Sequence, residues 1–148
     1  MASFRYSFQR VVDLKASEKT QAEWLLSSAI GALAAEERSL EQLQTEKTDW
    51  ERKLHEASQA AIPLSELQVI QQYVEYLKNG IANKTKDVLH AQKAVEQSRT
   101  RLSDKMKDEK VWLKAKDHAL ARFQYAMQIK EQNELDELAS VRFTLSTP

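Results

Sequence analysis

Few places in this chain allow a helix to stop, and that limits its folding more than any other feature. Its 148 residues include two glycines and two prolines, and Pro63 is the only proline away from the end of the sequence. Proline fixes its own φ, has no amide N–H and drives the preceding residue out of the α region, so Ile62 should be extended and Pro63 should open a helix. The stretch from Ala57 to Ser65 around it is nearly uncharged, whereas its flanks are dense in Lys, Glu, Arg and Asp. The chain is therefore expected to turn once, at about residues 58–64. This gives an all-α fold: a long antiparallel two-helix coiled-coil hairpin in a single domain over residues 1–148. Helix 1 is expected at about 4–59, a longer helix 2 at about 64–142 and a frayed tail at 143–148.

The apolar spacing supports this. Leu26, Ala29, Leu33, Glu36, Leu40, Leu43, Lys47, Trp50, Leu54, Ala57 and Ala61 step by alternating threes and fours, a heptad seam. Glu36 and Lys47 are its polar members, expected to lay their methylenes on the seam and keep their charges outside. After the corner a second seam runs Leu67, Ile70, Val74, Leu77, Ile81, Lys84, Val88, Ala91, Val95, Ser98 and Leu102. It then reads as a four-residue step to Met106, continuing through Leu113, Leu120, Phe123 and Met127, a stutter of the kind that locally unwinds a supercoil. Glu18, Ala22 and Leu26 make a matching double four-step in the first arm. With equal rise on both helices, facing residues should have numbers adding to roughly 122. Asn79-Gly80 is the one turn-like dipeptide and would break helix 2 into a three-helix bundle. The seam crosses it without a change of phase, so a continuous helix is expected, at a cost of about 1 kcal/mol for the glycine.

The arms are unequal. Helix 1 spans roughly 80 Å and helix 2 continues past it. The overhang carries Phe123, Tyr125 and Ile129, and should dock on another protein unless Phe4, Tyr6 and Phe8 fold over it. Trp24 lies off the seam, where partner contact and partial packing by neighbouring stems are both open. Phe123, Tyr125 and Trp24 form the expected partner patch. Near the tip, Trp50, Tyr73, Tyr76 and Leu77 fall at one height, too much aromatic surface for two helices to enclose.

Most chemistry is excluded. No glycine-rich loop with a following Lys and Ser/Thr exists to cradle phosphate, since Gly31 and Gly80 stand far apart. His55, His90 and His118 share no ligand spacing, and there are no cysteines, so neither metal nor cofactor is expected. Acidic pairs such as Glu36-Glu37 sit in helix without a cleft to set their pKa values apart, so no enzyme is expected. No run approaches the roughly 20 apolar residues of a membrane span, and Met1–Arg10 precedes no apolar stretch, so a soluble, unprocessed chain without membrane insertion is expected. Formal charge is zero. In Arg99–Arg122 eight basic residues face four acidic ones, and Glu131, Glu134, Asp136 and Glu137 then reverse the sign. The interspersed acids argue against nucleic acid and for an acidic protein surface or simple solvation.

Three stretches together resemble the FliJ family, the coiled-coil component of bacterial flagellar type III export. They are Phe4-Arg-Tyr6-Ser-Phe8-Gln-Arg-Val11-Val12-Asp-Leu14-Lys15 with Glu18-Lys19, Ile70-Gln71-Gln72-Tyr73-Val74 with Leu77, and Glu134-Leu135-Asp136-Glu137-Leu138-Ala139 with Arg142. The resemblance implies a central stalk for the ring of the export ATPase hexamer, contacts with the cytoplasmic domain of the export-gate protein, and escort of flagellar export chaperones. It also implies a cytoplasmic protein peripherally associated with the inner membrane at the flagellar base, and monomeric alone. The family's gate-contacting positions fall on Leu43, Trp50, Tyr73, Leu77 and Gly80, with Glu46 and Lys84 replacing an aromatic and a histidine seen in some members. The ATPase end would be Phe4, Phe8, Arg10, Lys15, Asp136, Glu137 and Arg142. A passive tether or self-associating coiled-coil scaffold is the alternative.

Overall fold

A computed structural model describes residues 3–146. It is all-α: helix α1 covers Gln9–Gln59 and helix α2 covers Leu64–Ser146. The two form an antiparallel hairpin with the second helix the longer. The corner lies where proline demands it. Ile62 N–H donates to the Ala60 carbonyl at 3.0 Å, and the Pro63 carbonyl accepts from Glu66 and Leu67 at 3.1 and 3.3 Å, opening α2. Glu66, in the first turn, places its charge at the positive end of the helix dipole. Gly80 does not interrupt α2.

The described residues form two compact units. The tip unit is Gln21–Ser103, and the terminal unit combines residues 3–20 with 104–146. In the tip unit the core is a single file: Ala22, Val74, Leu77, Val88 and Val95 are buried, and the remaining seam positions of both helices, apart from the exposed Ala61, are half-buried. The facing pairs fit the expected register to within a few residues, with Glu36 against Lys84 and Glu46 against Tyr73. Lys84 Nζ reaches Glu36 Oε2 at 3.0 Å, so two polar seam members satisfy one another across the helices. The Glu36 carboxylate holds the Lys84 ammonium above its usual pKa. Lys47 instead pairs along its own helix with Glu51 at 3.5 Å.

The terminal unit departs from expectation in three ways. First, the four-residue step does not fall at Leu102–Met106. Met106 is 53% exposed and Leu113 41% exposed, while Lys105, Glu109, Trp112 and Lys116 are half-buried, and the expected Leu120, Phe123 and Met127 are half-buried after them. Lys105 follows Leu102 by three, so heptad spacing continues, and in α1 Lys15, Lys19 and Ala22 keep it as well. The seam looked irregular because its members here are charged. Lys105 Nζ lies 3.2 Å from Glu18 Oε2, Lys19 Nζ 3.0 Å from Glu109 Oε1 and Lys15 Nζ 3.6 Å from Asp108 Oδ2. The Lys105 hydrogen bond holds the Glu18 carboxyl below its usual pKa.

Second, α1 begins at Gln9, not at Phe4. Phe4 packs against Phe123 with the rings tilted and their centroids 5.5 Å apart, and Phe8 packs in the same way against Trp112 at 5.7 Å. Those partners are separated by about 16 Å along α2; the four residues from Phe4 to Phe8 cover only about 6 Å as helix but about 13 Å when extended. Only an extended segment brings both aromatics to their partners. Third, α2 remains helical to Ser146, so residues 143–146 are not a frayed tail; positions 147–148 of the expected tail lie outside the described residues. No proline or glycine in that stretch stops the helix.

Candidate partner-binding surfaces

In the tip unit an aromatic cluster is built from residues 23 apart in sequence. Tyr73 meets Trp50 edge-on at 4.8 Å and 62°, and Tyr76 stacks on Tyr73 at 5.9 Å and 25°. Lys53 Nζ sits 4.4 Å over the Trp50 ring. The Tyr73 hydroxyl donates to Glu46 Oε1 at 2.6 Å, which fixes the ring and, with the carboxylate alongside, raises the tyrosine pKa. Glu46 therefore orients the cluster. Tyr76 is 69% exposed. Two shallow depressions border it. Trp50, Ser65, Glu66, Val69 and Ile70 line one of about 380 Å³, and a glutamine-rich rim including Gln68, Gln72 and Tyr76 lines one of about 620 Å³.

Of the five residues expected at the gate-facing surface, Trp50, Tyr73, Leu43 and Gly80 are half-buried and Leu77 is 1% exposed. Leu77 is core, and the exposed residue of the cluster is Tyr76, which is not among the five. A Cβ on Gly80 would stand 3.9 Å from Leu43 Cδ1, ordinary contact distance. These residues share one stretch of the helix pair. Trp24, also in the tip unit, is 75% exposed, so neighbouring stems do not cover it.

In the terminal unit Phe123 is half-buried beneath Phe4, which corrects its place in an exposed patch; Tyr125, two residues on, is 66% exposed. The N-terminal aromatics thus cover the start of the expected overhang. Residues 128–145 are all exposed, including Ile129, Leu135, Leu138, Val141 and Leu145. The ATPase-end residues are not brought together. Phe4 and Phe8 are in ring contacts, Arg10 is exposed, and Lys15 is engaged with Glu18 and Asp108. Asp136, Glu137 and Arg142 are exposed on α2, Asp136 about 20 Å past the Phe4–Phe123 contact.

Sequence reasoning missed Trp112. It sits among Val111, Leu113 and several lysines, and only its three-residue step from Glu109 marks it as a seam residue. Among the described residues no group of His, Cys, Asp and Glu is arranged to hold a metal, and no helix is long and apolar enough to cross a membrane.

The sequence profile of the family described as "Flagellar FliJ protein" matches residues 4–147. No curated protein sequence matches the chain. Two solved structures share its fold. One, from Chlamydia trachomatis and described as a homolog of YscO, is 18% identical with a TM-score of 0.70, covering 97% of each chain. The other, the type III secretion protein YscO from Vibrio parahaemolyticus, is 22% identical with a TM-score of 0.62, covering 92% of each chain.

Proposed function

We infer the function from the premise that this chain belongs to the FliJ family and is a component of type III export. It acts without chemistry of its own, as the central stalk of the export ATPase ring. It promotes ring assembly and turnover, presents the tip cluster to the cytoplasmic domain of the export gate and escorts export chaperones. It works in the cytoplasm, held at the inner membrane by its partners.

The observation that carries this reading is the length of α2 beyond Phe123. That stretch stays helical to Ser146, and residues 128–145 are exposed, Leu135, Leu138, Val141 and Leu145 among them. A lone helix with exposed leucines is marginal in water, so it suits a sleeve supplied by a partner. The tip cluster provides a second, chemically different surface: aromatic rings with a cation and a polar glutamine rim, the composition of binding hot spots. Turnover and oligomerisation of the export ATPase, measured with and without the chain, test the reading. Stimulation that disappears when the chain is stopped after Gln128 supports it, and no effect at saturating concentration rejects it.

A further inference from the structure

The outer face of α2 in the terminal unit carries charge that the helix pair does not use. Its acids Asp108 and Glu109 are turned toward α1, where they meet Lys15 and Lys19. Lys107, Lys110, Lys114, His118 and Arg122 lie on the opposite side. At about 100° per residue these five occupy a stripe about 120° wide and about 22 Å long, directly opposite the seam. All are exposed. None makes a hydrogen bond or ion pair with another described residue. Val111 and Tyr125, 65% and 66% exposed, interrupt and end the stripe. Asp104 and Asp117 flank it. Of the four acids that dilute the basic run in sequence, Asp108 and Glu109 are thus drawn toward α1, and Asp104 and Asp117 remain at the edges of the stripe.

We infer that this face binds the acidic side of a helix in a partner protein. Cations recurring every three or four residues along a straight helix match carboxylates with the same spacing on a second helix, and Val111 and Tyr125 give that helix apolar contacts. An anionic bilayer fits worse. A membrane-lying helix inserts an apolar face, and the apolar face of α2 here is covered by α1 and by Phe4 and Phe8; a flat surface would also meet Asp104 and Asp117. Nucleic acid fits worse again, because acids border the stripe and the net charge of zero provides no long-range attraction. The inference does not depend on the export reading, since the five cations precede the stretch of α2 beyond Phe123 that carries it.

The experiment titrates the full chain with a designed helical peptide whose glutamates recur every three or four residues along one face. A scrambled peptide of the same composition and phosphatidylglycerol vesicles are titrated alongside. The patterned peptide should bind at low salt and weaken as salt rises. Lys110→Glu with Lys114→Glu should weaken binding by about tenfold or more, while Lys86→Glu with Lys93→Glu, an equal charge change in the tip unit, should leave it unchanged. Circular dichroism reports folding, and the Lys110→Gln with Lys114→Gln pair should give an intermediate loss if the charge-reversed chain is poorly folded. Equal binding of the scrambled peptide, absence of binding, vesicle binding alone that shares the lysine dependence, or self-association of the chain that the same substitutions abolish would each overturn the inference.

Discussion

Gly80 shows how one residue's surroundings decide the sign of a substitution. It lies inside α2, where glycine costs about 1 kcal/mol relative to alanine through backbone entropy. The place a methyl would occupy is ordinary contact distance from Leu43 Cδ1. Gly80→Ala should therefore raise the urea midpoint, by about 1 kcal/mol of stability, and leave helix content unchanged; a lowered midpoint would mean that Leu43 cannot yield. Tyr73 gives a pH-dependent counterpart. Its hydrogen bond to Glu46 raises its pKa, as Glu36 raises that of Lys84. Groups with raised folded-state pKa values contribute stability that is complete below their unfolded values, near 10 for tyrosine and about 10.4 for lysine, and that is lost as pH rises through the folded values. Urea midpoints should accordingly fall on the alkaline side of pH 10, and Tyr73→Phe should remove the tyrosine part of that fall.

At the scale of the helices, the corner and both seams of the tip unit were legible because proline chemistry and apolar spacing gave the same answer. Ile62-Pro63 had no competing reading, and Val74, Leu77, Val88 and Val95 were placed on the seam by spacing alone. The terminal unit was not legible in the same way. There the heptad positions are held by Lys15, Lys19, Lys105 and Glu109, and a hydrophobic pattern sought nearby slid onto Met106 and Leu113, which face solvent. Long stems that pack while their charges pair carry no apolar signature. The extended start does leave a local trace, because Phe4, Tyr6 and Phe8 alternate with polar residues as in a strand, but the contacts of Phe4 and Phe8 lie far along α2 and leave none. Glu18→Lys should destabilise the terminal unit by placing like charges at Lys15 and Lys105, and adding Lys105→Glu should recover most of the loss. Hydrogen exchange of α1 amides near Glu18 measures both. A second variant that recovers nothing would contradict the register. Because Glu18 has a depressed pKa, its contribution is present above the usual carboxylate range and disappears as pH falls through its folded value, so the same amides should exchange faster in acid.

For the whole molecule, the decisive feature is that two chemically distinct surfaces lie in separate units, so their functions should be separable by mutation. Trp50→Ala removes the ring against which Tyr73 packs and over which Lys53 sits, at a cost of about 2 kcal/mol for a half-buried aromatic. That cost falls in the tip unit. Stopping the chain after Gln128 removes the uncovered end of α2 and leaves the Phe4–Phe123 and Phe8–Trp112 contacts in place. If the chain is a stalk that joins an ATPase ring to an export gate, the truncated chain should lose stimulation of ATPase turnover and still be retained by the gate protein's cytoplasmic domain. Trp50→Ala should do the reverse. A passive tether gives a different pattern, in which neither variant changes turnover, and a self-associating scaffold gives concentration-dependent sedimentation that the truncation abolishes. Loss of both activities in the Trp50→Ala chain, with its helix content intact, would refute the assignment of separate tasks to the two surfaces.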